Sequence, residues 1–309
     1  MKHQQHSLFV DLAAYQLHVR QLTPVQGLVG PILYLHGAVE NGRIFYSHSG
    51  KGLASFLADH GFMGYAVDFA GRGLSQPSLE QGLQQSQQQL ICHDIPALIE
   101  YFYELHHQPL TLICHSWGGV LAAACLARFP HLLPKIKAKI CFGTKRVISV
   151  RSLARTVKID VIWNRFAPWL GQRYGYLPAK RWRLGADNEP LQFLHDTISW
   201  IRGAPFTDLS DQFDYHAACQ RTSWPAIWHF AGAFDRLLGH PQDVQAFITE
   251  CHQHDAQFSV LGKAFGNAAN YDHISMLTHP AATTEHFAEL AQWLKVLYAR
   301  SSPREINDL

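Results

Sequence analysis

The segment LTLICHSWGGV, from Leu110 to Val120, predicts a buried strand, a sharp turn and the start of a helix. Its first residues are apolar, and the VLAAACLARF that follows the turn has the composition of a buried helix. A serine at the apex of such a turn is the layout of a nucleophile elbow, usually G-x-S-x-G. A free serine hydroxyl is a weak nucleophile, so Ser116 indicates catalysis only if the chain also supplies a base and an oxyanion hole.

Seven further segments on both sides of the elbow have the apolar or alternating patterns of strands. They cover 7–10, 15–20, 31–36, 62–69, 138–144, 226–232 and 258–262. Helix-like segments lie between or after them, over 43–60, 86–107, 117–129, 241–252 and 283–299. This order predicts an α/β fold with a mostly parallel eight-stranded sheet that has helices on both faces.

The alternation of strands and helices stops after the sixth predicted strand. Residues 146–223 contain helix-like pieces rich in Trp, Phe and Tyr, interrupted by Gly and Pro, and no clean strand. We therefore expect an α/β core formed by 1–145 and 224–309, with 146–223 inserted as a helical cap. The tail 301–309 is expected to fray.

Two polar residues after later strands complete the catalytic set that Ser116 requires. Asp235 follows the strand that ends near 232, and His273 follows the strand that ends near 262. The carboxyl ends of parallel strands meet at one edge of a sheet, where active sites form. The order Ser116, Asp235, His273 predicts a triad in which His273 is the base and Asp235 orients it. Asp272 is an alternative acid, but it adjoins His273 in the chain and is poorly placed to orient its ring.

Backbone N–H groups near the elbow are the expected oxyanion donors. One is that of Trp117, directly after the nucleophile, and the other is that of Ala38, which follows His36-Gly37 after an early strand. His36 is also a candidate substrate contact. His115, beside the serine, is expected to pack under the elbow and not to act as the base.

Composition and charge exclude several classes of protein. The chain has 309 residues, 47% of them apolar, and a net charge of +2, which is too close to zero for a general nucleic-acid binder. Its six cysteines lack C-x-x-C spacing, and its paired histidines lack partners at ligand spacing, so we expect reduced thiols and no metal. No apolar run approaches the ~20 residues of a membrane span, and the N-terminus lacks a signal-peptide pattern. A cytoplasmic protein is the expectation.

Basic residues are concentrated at the start of the inserted segment. Between Lys145 and Arg183 there are ten Lys and Arg but only one acid, Asp160. Arg181 and Arg183 could bind an anionic head group of a substrate; a merely solvated face and a transient contact with anionic membranes are the alternatives. Aromatic side chains of the same segment, Trp163 and Trp169 among them, are expected to roof an acyl chain.

Three motifs resemble those of the α/β-hydrolase fold serine hydrolases, in their lipase, esterase and lysophospholipase-like branch. The motifs are LYLHGAVENGRIF, VDFAGRGLS and ICHSWGG, supported by FAGAFD and YDHISMLTHP. The resemblance covers about 7–145 and 224–299. Two positions depart from the family pattern: Arg72 stands one place late in a D-x-R-G-x-G-x-S turn, and Cys114 replaces the first Gly of G-x-S-x-G.

The resemblance implies an acyl-enzyme on Ser116, His273 as base and then acid, a lid at the place of the insertion, and no cofactor. We expect a carboxylic ester substrate, a small molecule or lipid with an apolar acyl group. A peptidase or amidase, an acyltransferase, and a non-catalytic ligand-binding protein of the same fold are the alternatives. The sequence leaves acyl length and oligomeric state open.

Overall fold

The computed structural model describes residues 2–300, and its centre is an eight-stranded sheet. The strands are β1 His3–Leu12, β2 Tyr15–Pro24, β3 Gly30–Leu35, β4 Phe62–Val67, β5 Leu110–His115, β6 Ile136–Phe142, β9 Ala226–Gly232 and β10 Gln257–Leu261. Their order across the sheet is β1-β2-β4-β3-β5-β6-β9-β10. Only the β1–β2 and β2–β4 pairs are antiparallel. The predicted mostly parallel eight-stranded sheet is confirmed.

The central strands are apolar throughout because helices cover both faces of the sheet. All six residues of β3 and all six of β5 are buried. Successive residues of β3 enter opposite layers: Leu33 packs in the apolar layer that also holds Leu121, and Tyr34 packs in the layer that also holds Leu294. Because successive side chains of a strand point to opposite faces of the sheet, the sheet separates the apolar core into two layers.

The helices of the core connect these strands and cover them. The helices of four residues or more are α1 Leu53–Asp59, α3 Ile95–His106, α4 Trp117–Arg128, α10 Pro241–Glu250, α11 Ser275–Thr278 and α12 His286–Ala299. A short α2, Gln87–Gln89, continues through a π-helical turn, Leu90–Asp94, into α3. Single 3₁₀ turns occupy Gly42–Ile44, Leu79–Gln81, Pro130–Lys135, Lys263–Phe265 and Pro280–Thr284.

Two predicted helices begin later than the sequence pattern indicates. The helix expected over 43–60 is wrong in its first half, which forms one 3₁₀ turn and a loop before α1. Gly50 and Gly52 have φ of 78° and 102°, a left-handed region that no α-helix uses and that favours glycine. The last helix begins at His286 and not at Thr283, because a 3₁₀ turn precedes it. The expected fraying of 301–309 lies outside the described residues.

Residues 146–223, called here the insert, lie between β6 and β9. Its helices are α5 Leu153–Arg155, a π-helical segment Thr156–Phe166, α6 Ala167–Tyr174, α7 Ala179–Trp182, α8 Leu191–Ile201 and α9 Tyr215–Arg221. The sequence predicts no strand here, but Tyr176–Leu177 (β7) and Glu189–Pro190 (β8) pair antiparallel over two residues. They pair where the chain turns back between α6 and α8, a ladder too short to produce a strand pattern. An apolar cluster that includes Leu170 and Leu194 forms a core of the insert's own, and Val39 packs against it.

Candidate active site

Ser116 occupies a strained turn between β5 and α4. Its φ and ψ are 50° and −120°, a combination that L-residues rarely adopt and that a nucleophile elbow requires. The Ser116 N–H donates to the carbonyl of Phe142 over 2.8 Å, which ties the turn to the end of β6. A Cβ on Gly118 would lie 2.3 Å from the Leu35 carbonyl oxygen, so only glycine lets α4 begin this close to β3.

Cys114 fits at the first position of the elbow motif because its side chain enters the core. It is fully buried, and in the sheet it pairs with Leu35 of β3 and with Cys141 of β6. Burial raises the pKa of the Cys114 thiol well above its ordinary value. The residue that departs from the family pattern is therefore a packing residue with a protonated, inert thiol.

Asp235 and His273 are brought together at the carboxyl edge of the sheet. Oδ2 of Asp235 lies 2.5 Å from Nδ1 of His273, and both side chains are buried. The Leu238 N–H donates to Oδ1 of Asp235 over 2.9 Å and fixes the other side of the carboxylate. Burial alone would raise the pKa of Asp235, but the charge and hydrogen bond of His273 hold it at about 2. The carboxylate is therefore ionised at neutral pH.

The surroundings of His273 favour a neutral ring with a free lone pair. Because the ionised Asp235 accepts the Nδ1 proton, a neutral ring carries its lone pair on Nε2. Burial lowers the pKa of His273 below its ordinary value; Asp235 opposes this effect, while His115 and Lys145 add to it. A Cβ on Gly143 would lie 2.8 Å from the His273 ring, so glycine at this position leaves room for the imidazole.

The alternative acid, Asp272, has a different role. It accepts from the N–H groups of Ile274 and Ser275 over 3.1 and 2.8 Å, and so shapes the turn that precedes α11. It makes no hydrogen bond to His273 among the contacts of residues 2–300. Of the two candidate acids, Asp235 is the one in contact with His273.

The loop after β3 lies directly against the nucleophile. A Cβ on Gly37 would lie 2.9 Å from the Cβ of Ser116, so this approach requires glycine. Within the described chain, the Ala38 N–H donates to no protein acceptor. Trp117 is the first residue of α4, where a backbone N–H has no acceptor within the helix. Two unpaired amides, of Ala38 and Trp117, thus flank Ser116.

A second acid–histidine pair supports the site, and sequence reasoning missed its acid. Oε2 of Glu40 lies 2.8 Å from Nδ1 of His115 and accepts the Gly37 N–H over 2.9 Å. Burial would raise the pKa of Glu40, but His115 and the Gly37 amide lower it to about 2. His115, expected only to pack, links this pair to His273 through its contact with the backbone of that residue.

Lys145 is a buried cation in the same region and was not singled out from the sequence. Its side chain is 4% exposed, and its Nζ lies 6.0 Å from the centre of the Trp117 ring. Burial lowers the pKa of Lys145 to about 8, although Asp235, Asp243 and Glu40 attract its charge. The basic run in the sequence suggests a solvated or head-group-binding surface, not a buried cation whose charge acts on Asp235 and His273.

The five predicted substrate contacts are distributed unevenly. Both ring nitrogens of His36 are engaged, since Nδ1 donates to the Gly37 carbonyl over 2.8 Å and Nε2 accepts the Phe69 N–H over 3.1 Å. Neither nitrogen is left for a substrate. Trp163 is half-buried and packs against the apolar clusters, whereas Trp169 is 59% exposed. Arg181 and Arg183 are exposed at the end of α7.

Residues 2–300 contain neither a metal-binding cluster nor a membrane-spanning helix. No group of three or more His, Cys, Asp or Glu side chains is arranged to hold a metal ion in this part of the chain. Within the same range, every helix is too short or too polar to cross a membrane.

Comparison with known proteins gives lipases among the relatives. A 115-residue stretch is 28% identical to triacylglycerol lipase 1 of Arabidopsis thaliana and covers 35% of this chain and 29% of the lipase. The chain thus spans less than a third of that curated relative. A soluble variant of monoglyceride lipase from Saccharomyces cerevisiae has a similar structure, with a TM-score of 0.67 and 17% identity over 95% of this chain and 96% of that one.

A second solved structure shows the same fold. It is the monoacylglycerol lipase of Paleococcus ferrophilus, with a TM-score of 0.56, 16% identity, and coverage of 91% of this chain and 99% of that one. The family model described as serine aminopeptidase, S33, matches residues 29–265, which include the elbow, the insert and Asp235. A match over this length shows membership: the chain belongs to the S33 serine aminopeptidase family of α/β hydrolases.

Proposed function

We propose that the protein is a serine hydrolase that cleaves carboxylic esters with an apolar acyl group through an acyl-enzyme on Ser116. The observation that carries the proposal is the 2.5 Å contact between Asp235 and His273 at the sheet edge where the strained Ser116 turn also ends. A buried acid–imidazole pair and an elbow serine are the components of nucleophilic acyl transfer.

In the first half of the reaction, Nε2 of His273 takes the Ser116 hydroxyl proton as Oγ attacks the ester carbonyl. The negative charge that develops on the carbonyl oxygen accepts hydrogen bonds from the amides of Ala38 and Trp117. His273 then donates the proton to the leaving alcohol, and the acyl group remains on Oγ. Asp235 stays ionised throughout and stabilises the imidazolium.

In the second half, His273 removes a proton from a water molecule that attacks the acyl-enzyme. The same two amides stabilise the second oxyanion, and the acid product leaves as Oγ recovers its proton. Each proton moves through Nε2, and the two amides are available to the oxyanion because no acceptor within residues 2–300 competes for them.

An apolar acyl group is supported by the names of the relatives. Triacylglycerol lipase 1 and the two glycerolipid lipases are named for acyl-ester substrates. We propose that the insert serves as the cap, with boundaries at 146 and 223, and that Trp163 contributes to the apolar roof. The exposed Arg181 and Arg183 are assigned to contact with anionic head groups or a membrane surface, in the same proposal.

Peptide hydrolysis is the second candidate, because the matching family is described by aminopeptidase activity. The same triad can attack an amide, so the choice between ester and amide depends on the substrate pocket and not on Ser116. We further propose a cytoplasmic location, which is supported by six cysteines that are all free thiols.

A substrate panel distinguishes the two candidates. Purified protein is assayed with p-nitrophenyl esters from acetate to palmitate and with p-nitroanilides of single amino acids, and Ser116→Ala is the background control. The proposal predicts ester turnover that rises with acyl length and disappears in Ser116→Ala. Turnover of the anilides without turnover of any ester would assign the protein to the peptidases.

A further inference from the structure

The insert holds both backbone polar groups of Val39, the residue after the proposed oxyanion donor Ala38. The Val39 N–H donates to Oε2 of Glu189, and the Val39 carbonyl accepts the Asp187 N–H over 2.9 Å. Gly185 also closes on this residue, since a Cβ there would lie 2.4 Å from the Val39 Cβ. The segment 185–189 of the insert thus bonds both backbone polar groups of Val39 and packs against its side chain.

Val39 needs this support because its backbone conformation is unfavourable. Its φ is 51°, in the left-handed region, which is a genuine outlier for a β-branched residue. Strain of this kind persists only where surrounding contacts impose it. The Val39 N–H belongs to the Ala38–Val39 peptide plane, so holding it fixes that plane. Only the φ and ψ of Ala38 then separate the fixed plane from the preceding plane, which carries the Ala38 N–H.

A buried ion pair fixes the carboxylate that holds Val39. Nε of Arg72 donates to Oε1 of Glu189 over 2.8 Å, and its Nη2 donates to the same oxygen. Glu189 is fully buried and Arg72 is 1% exposed. The guanidinium is held in turn, because its Nη1 donates to the carbonyl of Ala70 over 3.1 Å and to Oε1 of Gln85 over 3.0 Å. The Glu189 oxygens are therefore divided, one for the core cation and one for Val39.

We propose that Glu189, anchored by Arg72, is a positioning residue that sets the Ala38 amide for the oxyanion. This inference rests on the proposed function, in which that amide stabilises the tetrahedral intermediate. It assigns a second task to the insert: besides covering the site, the insert completes the oxyanion hole. Movement of segment 185–189 away from Val39 would release the strained loop and leave Ser116 with one fixed donor.

The test compares Glu189→Gln with Glu80→Gln in the full chain. Glu80 is exposed and accepts a hydrogen bond from Nδ2 of Asn188 over 2.8 Å. It therefore contacts the same segment of the insert, 185–189, but makes no hydrogen bond to Val39. Both Val39 and Arg72 donate to Glu189, each to a different carboxylate oxygen. A glutamine side chain has only one oxygen, so one of these two residues loses its acceptor. We expect kcat for a short ester to fall roughly 10- to 100-fold with little change in KM, and the affinity for a trifluoromethyl ketone to fall by the same factor. Glu80→Gln should match wild type.

A double variant separates positioning from stability. Arg72→Met combined with Glu189→Met removes the buried pair without leaving a lone charge, an exchange that folded proteins tolerate. It also leaves the Val39 N–H without its acceptor. We expect a folded double variant whose kcat stays low. Recovery of the wild-type kcat would show that the ion pair serves stability alone and would overturn the proposal.

Hydrogen exchange gives a readout that requires no turnover. The Val39 amide should exchange at least roughly tenfold faster in Glu189→Gln than in Glu80→Gln, because its buried acceptor is weakened. Unchanged exchange would overturn the role of Glu189 even in an active esterase. If the wild-type protein hydrolyses no ester, the proposed function has failed, and faster exchange would still show that Glu189 holds the loop.

Discussion

Nε2 of His115 lies 2.9 Å from the carbonyl oxygen of His273, so the residue before Ser116 donates to the backbone of the proposed base. The other nitrogen of His115 donates to the ionised Glu40 over 2.8 Å. Because a carboxylate and a backbone carbonyl are both acceptors, these two contacts favour a His115 ring that carries a proton on each nitrogen. Burial acts to lower the pKa of His115, but Glu40 and the His273 carbonyl raise it above its ordinary value.

Glu40→Gln should reduce catalysis by displacing His273. Glutamine removes the negative partner that keeps His115 charged, and the bond from His115 to the His273 carbonyl weakens. Hydrogen bonds to charged groups contribute about 1.5–3 kcal/mol, so we expect kcat to fall roughly 10- to 100-fold. Steady-state kinetics with a short ester measure this effect, with the exposed Glu104→Gln on α3 as control. An unchanged kcat would refute a positioning role for the pair.

The same pair predicts a pH window for stability. The pKa of His115 is higher in the folded protein than its unfolded value of 6.5, so protonation of His115 stabilises the fold. This stabilisation is complete below pH 6.5 and is lost as the pH rises through the folded pKa. The pKa of Glu40 is about 2 in the folded protein and 4.5 in the unfolded chain, so ionisation of Glu40 stabilises the fold. This stabilisation is complete above pH 4.5 and is lost as the pH falls toward 2. Urea unfolding at pH 3, 5.5 and 8.5 should show the largest deficit of Glu40→Gln, about 2 kcal/mol, at pH 5.5. A deficit that is equal at all three pH values would contradict the linkage.

Asp235→Asn and Asp272→Asn form a matched pair that identifies the acid of the triad. Asparagine at 235 can donate to Nδ1 of His273 and favours the wrong tautomer, so we expect kcat to fall about 10⁴-fold. Asparagine at 272 alters only a turn and should leave kcat within about threefold of wild type. The reverse order of effects would reassign the acid to Asp272.

Lys145→Met should move the acid limb of the pH–rate profile upward. The base acts as the neutral imidazole, so kcat/KM rises with pH through the pKa of His273, which burial holds below 6.5. Lys145 lowers that pKa further through its charge, and its removal raises the midpoint of the limb. Lys158→Met, an exposed cation of the insert, should leave the midpoint in place. A midpoint that moves down or stays fixed in Lys145→Met would show that its charge does not reach His273.

Local sequence patterns were sufficient to predict the sheet and the elbow. The apolar runs that become β3 and β5 are buried on both faces, which is why they appear as unbroken hydrophobic segments. Asp235 and His273 could be singled out because each follows a predicted strand, and strand ends share one edge of a parallel sheet. The prediction of a helix over 43–60 is wrong in its first half, because the apolar spacing there is helical but two glycines adopt left-handed conformations.

Contacts between residues far apart in the chain were not accessible in this way. Glu40 and His115 are 75 positions apart, and Arg72 and Glu189 are 117 apart. No local pattern marks which buried acid will meet which cation, because the loop after β3 brings Glu40 to His115 and the packing of the insert on the core brings Glu189 to Arg72. In the sequence, Lys145 is the first residue of the basic run that ends at Arg183. Only its burial beside Trp117 distinguishes it from the exposed Lys and Arg side chains of that run.

The central claim is that Ser116 is a nucleophile activated by His273, and covalent labelling tests it most directly. The wild-type protein, Ser116→Ala and His273→Ala are incubated with a fluorophosphonate, and the modified peptide is identified by mass spectrometry. The account predicts stoichiometric labelling of wild type at Ser116, none in Ser116→Ala, and labelling slower by about three orders of magnitude or more in His273→Ala. Absence of labelling at Ser116 in the folded wild-type protein, or equal labelling of Ser116→Ala, would contradict it.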